Sequence, residues 1–246
     1  MIWALLFSLI FGGSESVLMN PKFKKHIRKH VEEKERKQQI LDLVKVYEKE
    51  AKRFHKKEKK KVKEMNALNA DRTTSVSEFE RFFKRVMEEH LELAKKRMVL
   101  RLTIQEQIEK SEWDFLVEDS KIVWNKNSKK RVKYIHKLNK SFEKAIFRIK
   151  RNILNEKRKQ EAISIVEIFK ADLIQKQKDF NGLNISERPV FQDKDVSESD
   201  LQSIQDEINL LRWDIYNAYI KAHKDLVEVL EEDEWPKIVK SINKIF

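Results

Sequence analysis

The chain has 246 residues with 53 Lys and Arg against 41 Asp and Glu, a net charge of +12, three Gly, three Pro and no Cys. Without cysteine there are no disulfides, thiolate metal sites or cysteine nucleophiles, and three glycines leave little material for a Gly-rich phosphate loop. The scarcity of Gly and Pro, beside 38% charged residues, predicts long helices and an all-α fold.

The positive balance suits nucleic acid, a membrane surface or an acidic partner, and does not choose among them. So much charge could also mean disorder. Apolar residues recur at helical spacing, however, and aromatics reach 9%, which favours folded helices.

Residues 2–11, Ile-Trp-Ala-Leu-Leu-Phe-Ser-Leu-Ile-Phe, are apolar apart from one Ser, and Gly12, Gly13, Ser14, Glu15 and Ser16 follow. Ten residues are too few to span a bilayer as a helix. Residues 1–16 therefore read as an export signal, or as a short membrane anchor, since Lys22, Lys24, Lys25, Arg28 and Lys29 come soon after.

An internal repeat organises the rest. Arg36-Lys37-Gln38 matches Arg158-Lys159-Gln160 at an offset of 122 residues, and the same ungapped offset carries Ser75 and Glu78 onto Ser197 and Asp200, and Glu112-Trp113 onto Glu234-Trp235. Such a period predicts a tandem duplication. We expect a helical hairpin over residues 20–117, a joint at 118–130 and a second hairpin over 131–246, packed as an elongated four-helix bundle or a coiled-coil-like rod or cradle.

In the first unit a helix is expected from about Asn20-Pro21 to Asn69, with Ile40, Leu43, Val44, Tyr47, Ala51 and Phe54 on one face. Ser75 and Glu78 have the spacing of a capping box. The helix they open carries Phe79, Phe82, Val86, Leu93 and Leu100 and should end near Trp113. In the second unit a helix is expected from about Lys130 to Lys178, then a loop over 181–196 marked by Gly182 and Pro189. Ser197 and Asp200 repeat the cap. Leu201, Ile208, Ile215, Ala222 and Val229 then recur every seven residues, as a packing seam would.

The candidate contact surface is the basic run Lys56, Lys57, Lys59, Lys60, Lys61 and Lys63, suited to anionic headgroups, nucleic acid or an acidic protein. Phe54 is the one aromatic beside it and belongs to the core stripe, so base stacking is not expected. His26 and His30 share a helical face, but a metal site needs further ligands and no carboxylate shares that turn. His90 lacks the Glu-x-x-His spacing of di-iron bundles. No catalytic, cofactor or metal residue is predicted. Trp113 and Trp235 are expected to close the bundle ends with their N–H groups bonded.

Leu102-Thr103-Ile104-Gln105-Glu106-Gln107 is similar in part to the Leu-Thr-x-x-Gln motif of Spy-type periplasmic chaperones, with glutamine one residue before and one after the motif position. That resemblance implies a helical cradle that holds other proteins. The expectation from the whole sequence is a non-enzymatic helical protein of the cell envelope that works by binding, as a scaffold, adaptor or chaperone-like cradle. Its partner would be another protein, with membrane association through residues 2–11. The alternative is a basic cytoplasmic protein that binds nucleic acid or an anionic membrane surface.

Overall fold

A computed structural model describes residues 22–245, without the side chains of residues 55, 59, 122, 123, 125–134, 244 and 245. The apolar run at 2–11 and the expected helix start at Asn20-Pro21 lie outside the described residues. Among the described residues the chain is all-α. Eight helices follow in order: α1 (Phe23–His30), α2 (Lys34–Ala70), α3 (Val76–Gln107), α4 (Lys110–Asn152), α5 (Glu156–Ser186), α6 (Arg188–Gln192), α7 (Glu198–Val229) and α8 (Trp235–Ile245). None of these is long and apolar enough to cross a membrane.

Helix bounds follow the 122-residue offset. Val76–Gln107 maps onto Glu198–Val229 at both ends, and Lys34 maps onto Glu156. The last eight residues of α4 stand where α1 stands in the first half, and the part of α4 from Trp113 stands where α8 stands in the second. One helix therefore serves both halves, and residues 118–130, expected as a joint, lie inside it. Its 43 residues extend about 65 Å at 1.5 Å rise. Gly and Pro are absent from 118–130, so nothing there breaks a helix.

Breaks occur instead at Val31–Glu33 and Ile153–Asn155, the same place in each half, where continuous helices were expected. Each break ends a helix on an extended, buried residue, Val31 or Ile153. The expected loop at 181–196 is also mostly helical. Gly182 lies within α5, and Pro189 sits in the first turn of α6, where its missing N–H costs nothing.

Both expected capping boxes are present. The Ser75 Oγ accepts from the Glu78 N–H at 3.3 Å while the Ser75 N–H donates to Glu78 Oε2 at 2.8 Å. Ser197 and Asp200 repeat this at 3.1 and 3.3 Å. Ser75→Ala and Ser197→Ala are each expected to cost about 1 kcal/mol, read as a lower urea midpoint with an unchanged slope.

The helix α5 packs on α7, α2 on α3, and α3 on α7; α4 lies against α1 at one end and against α5 and α8 at the other. The two halves meet where α3 and α7 run antiparallel. The Phe79 ring lies 4.6 Å from His223, the Phe83 ring 5.9 Å from Tyr219, and Arg97 donates to Gln205 at 3.3 Å. These pairs are symmetric about His90 and Arg212, which are themselves 122 apart and fully buried. Because α7 packs against both α5 and α3, it buries two faces. Ile208, Ile215 and Ala222 of the expected seam are buried, and so are Gln205, Asn209, Arg212 and His223.

Candidate functional site

Arg36 and Arg158, shared by the two copies, meet the shared glutamates. Arg36 donates to Glu112 Oε1 at 2.7 Å and Glu109 Oε1 at 3.1 Å. Arg158 donates to Glu234 Oε2 at 2.8 Å and pairs with Glu231 at 2.8 Å. In each half, therefore, the start of the first long helix is clamped to the start of α4 or α8. Two repeat marks that lie far apart in sequence form one clamp. Trp113 and Trp235 sit beside it at helix starts, not at the expected helix end. Both are buried. The Trp113 N–H donates to the Gln192 carbonyl at 2.7 Å under the Arg101 guanidinium, 3.8 Å from the ring. Trp235 has His223 in the matching place, 5.1 Å away, but its buried N–H has no hydrogen-bond partner.

Outside the second clamp, α4 and α8 form a basic groove lined by Lys144, Phe147, Arg148, Arg151, Lys237 and Lys240. The first four are spaced 3, 1 and 3, one face of a helix. The opposite face of the same turns, Ala145, Ile149 and Phe142, is buried. Burying that face aims the cations outward. Lys237 pairs with Asp233 at 2.8 Å, and Arg148 donates to the Lys237 carbonyl at 3.3 Å. Among the described residues no carboxylate pairs with Lys144, Arg148, Arg151 or Lys240. A large apolar side chain stands in solvent among them, Phe147 at 64% exposure, and Leu154, three residues beyond Arg151 in the break after α4, is 91% exposed. The groove escaped the sequence reading because its two faces come from segments some 90 residues apart.

The lysine run singled out in the sequence sits on α2 and is divided. Lys56, Lys57, Lys60 and Lys63 are exposed, and the Lys59 side chain lies outside the described residues. Lys61 points inward and is buried, with Nζ 2.7 Å from Glu58 and 3.1 Å from Glu89. It takes no part in a surface contact, because the helix turns that position toward α3. Lys57 lines a surface with Glu50, Glu89 and Glu92, so the local charge is mixed.

Lys61 belongs to a polar cluster sealed at the centre. His90 Nε2 lies 3.5 Å from Glu58 Oε1, and Arg212 donates to Asn209 at 2.8 Å. Burial lowers His90 to about 4, so it is neutral at pH 7. Burial alone would raise the Glu58 carboxyl, but the nearby His90 ring and the bond from Lys61 outweigh it and hold Glu58 below its ordinary value. With His90 and Glu58 both at 0% exposure, these groups do not face solvent.

Leu102–Gln107 falls in the last turns of α3. Ile104 is buried there, and Gln105 donates to the Val196 carbonyl at 3.0 Å, which ties α3 to the segment before α7. No protein family, characterised protein or solved structure matches this chain.

Proposed function

We propose that this protein acts by binding rather than by catalysis, as a helical scaffold of the cell envelope that docks on an anionic membrane surface through the basic end of its second half. The observation that carries this reading is the groove of Lys144, Arg148, Arg151 and Lys240, unpaired by acids among the described residues, with exposed Phe147 in its lining. Cations near an anionic leaflet contribute roughly 1 kcal/mol each, and exposed apolar side chains add burial at the headgroup boundary. The apolar residues 2–11 would reinforce the same placement. A single solvent-exposed Phe within a cationic surface suits lipid better than nucleic acid, which asks for several stacking aromatics. The titratable groups at the centre are closed to a substrate, which favours binding over chemistry.

Vesicle co-sedimentation tests the reading. The full chain should bind vesicles containing phosphatidylglycerol and bind phosphatidylcholine vesicles far less. The variant Lys144→Glu/Arg151→Glu/Lys240→Glu should lose about a hundredfold in affinity for the anionic vesicles. Equal binding to both lipids, or tight binding to duplex DNA without vesicle binding, would contradict it.

A further inference from the structure

The place taken by the basic groove in the second half has different chemistry in the first. At the same offset Arg148, Asn152 and Ser241 correspond to His26, His30 and Asp119. His26 and His30 are four apart on α1, and Asp119 comes from α4. His26 Nδ1 lies 2.5 Å and His30 Nε2 lies 3.2 Å from Asp119 Oδ2. One donor atom from each of the three side chains falls within 4.8 Å of the others.

We propose that His26, His30 and Asp119 form a binding site for zinc, or for a divalent transition metal of similar preference, that fastens α1 to α4. Two imidazole nitrogens and a carboxylate oxygen are donors that such ions favour, and three protein ligands leave a position for water. Bond lengths near 2.1 Å put tetrahedral donors roughly 3.4 Å apart, within reach of these side chains by small rotations. All three side chains are half-buried, at 12%, 11% and 29% exposure. Phe115 stacks on the His30 ring with centroids 4.8 Å apart and 12° between planes, which holds that ligand's orientation.

One further observation points to an ion in place of a simple His–Asp pair. His26 Nδ1 is buried and makes no hydrogen bond although the carboxylate is close. Lys22 and Lys29 oppose a cation there. Lys29 and Lys22 are exposed, and screening weakens such charges over about 8 Å, whereas the three donors touch the ion.

The fold gives the site a purpose. In the second half, the counterpart of α1 is held by helix continuity, because it is the end of α4. In the first half α1 is a separate helix of eight residues, packed through Phe23 and Ile27. A metal bridge to α4 would supply the missing fastening.

The test is zinc titration of the full chain after chelator treatment, followed by calorimetry and thermal unfolding. Binding of one zinc per chain is expected, with a melting temperature raised by roughly 5–10 °C at a hundredfold excess over Kd. His26→Gln and His30→Gln should each lose both responses. So should the triple exchange His26→Arg/His30→Asn/Asp119→Ser, which installs the residues that the second half already accommodates. Absence of any zinc response at about a thousandfold excess over protein, or an undiminished response in these variants, would overturn the proposal.

Discussion

Replacing Trp113 by alanine is expected to destabilise the protein by about 3–5 kcal/mol, the largest loss for any single side chain named above. The indole is 0% exposed within the core formed by Phe23, Ile27, Ile40, Ile104 and Leu116. Its N–H also reaches the Gln192 carbonyl in the other half, and the Arg101 guanidinium lies against its face. Removal therefore opens a cavity, leaves the part-buried Gln192 carbonyl without its donor and unseats Arg101. A milder pair of variants separates these effects. Trp113→Phe and Trp235→Phe remove the same ring atoms from equivalent places. Trp235 has no hydrogen bond to lose, so Trp113→Phe should cost about 1–3 kcal/mol more. Urea unfolding followed by circular dichroism gives both numbers. Equal costs would mean that the bond across the halves contributes nothing.

Acid should weaken the fold well before the carboxylates titrate. His90 and His223 are both held at about 4 in the folded chain, chiefly by burial, against about 6.5 unfolded. A lowered histidine contributes stability that is complete above pH 6.5 and is lost as pH falls toward 4, because the unfolded chain takes up the proton first. Each histidine should cost about 2 kcal/mol by pH 5 and about 3 kcal/mol by pH 4. Glu58, held below its ordinary value, acts in the same direction at the low end. Urea midpoints between pH 7.5 and 4.5 measure the slope. In His223→Phe the fall should be about half as steep, since one of the two buried imidazoles is gone. An unchanged slope in that variant would assign the acid sensitivity elsewhere.

Local signals carried much of the fold. Ser75 with Glu78, and Ser197 with Asp200, marked two helix starts because a capping box is written in four consecutive residues. The apolar stripe of Ile40, Val44 and Phe54 identified a buried face for the same reason. The breaks at Val31–Glu33 and Ile153–Asn155 were not legible, since they contain no Gly or Pro. Continuity of α4 through 118–130 was missed because its polar residues read equally well as a loop.

The sites depended on distant pairings. Asp119 reaches His30 across 89 residues, and Arg148 reaches the Lys237 carbonyl across 89, and neither pairing has a local pattern. The repeat itself held an unused signal. Arg36 with Glu112 and Arg158 with Glu234 are opposite charges retained in both copies, the form a clamp between repeats takes. By contrast, burial of Glu58, His90 and Arg212 runs against the usual placement of such residues. For His90 and Arg212 it follows from the antiparallel meeting of α3 and α7, and for Glu58 from the packing of α2 on α3, which periodicity within one helix does not show.

Membrane docking through the basic groove on α4 and α8 is tested most directly by a salt titration of vesicle binding. Wild type and Lys144→Glu/Arg151→Glu/Lys240→Glu share residues 2–11, so any difference between them comes from the groove. The wild-type protein should bind phosphatidylglycerol-containing vesicles tightly at low salt and weaken as salt rises, while the variant binds about a hundredfold less tightly at low salt and converges with it at high salt. Identical binding curves for the two proteins at every salt concentration would contradict the account.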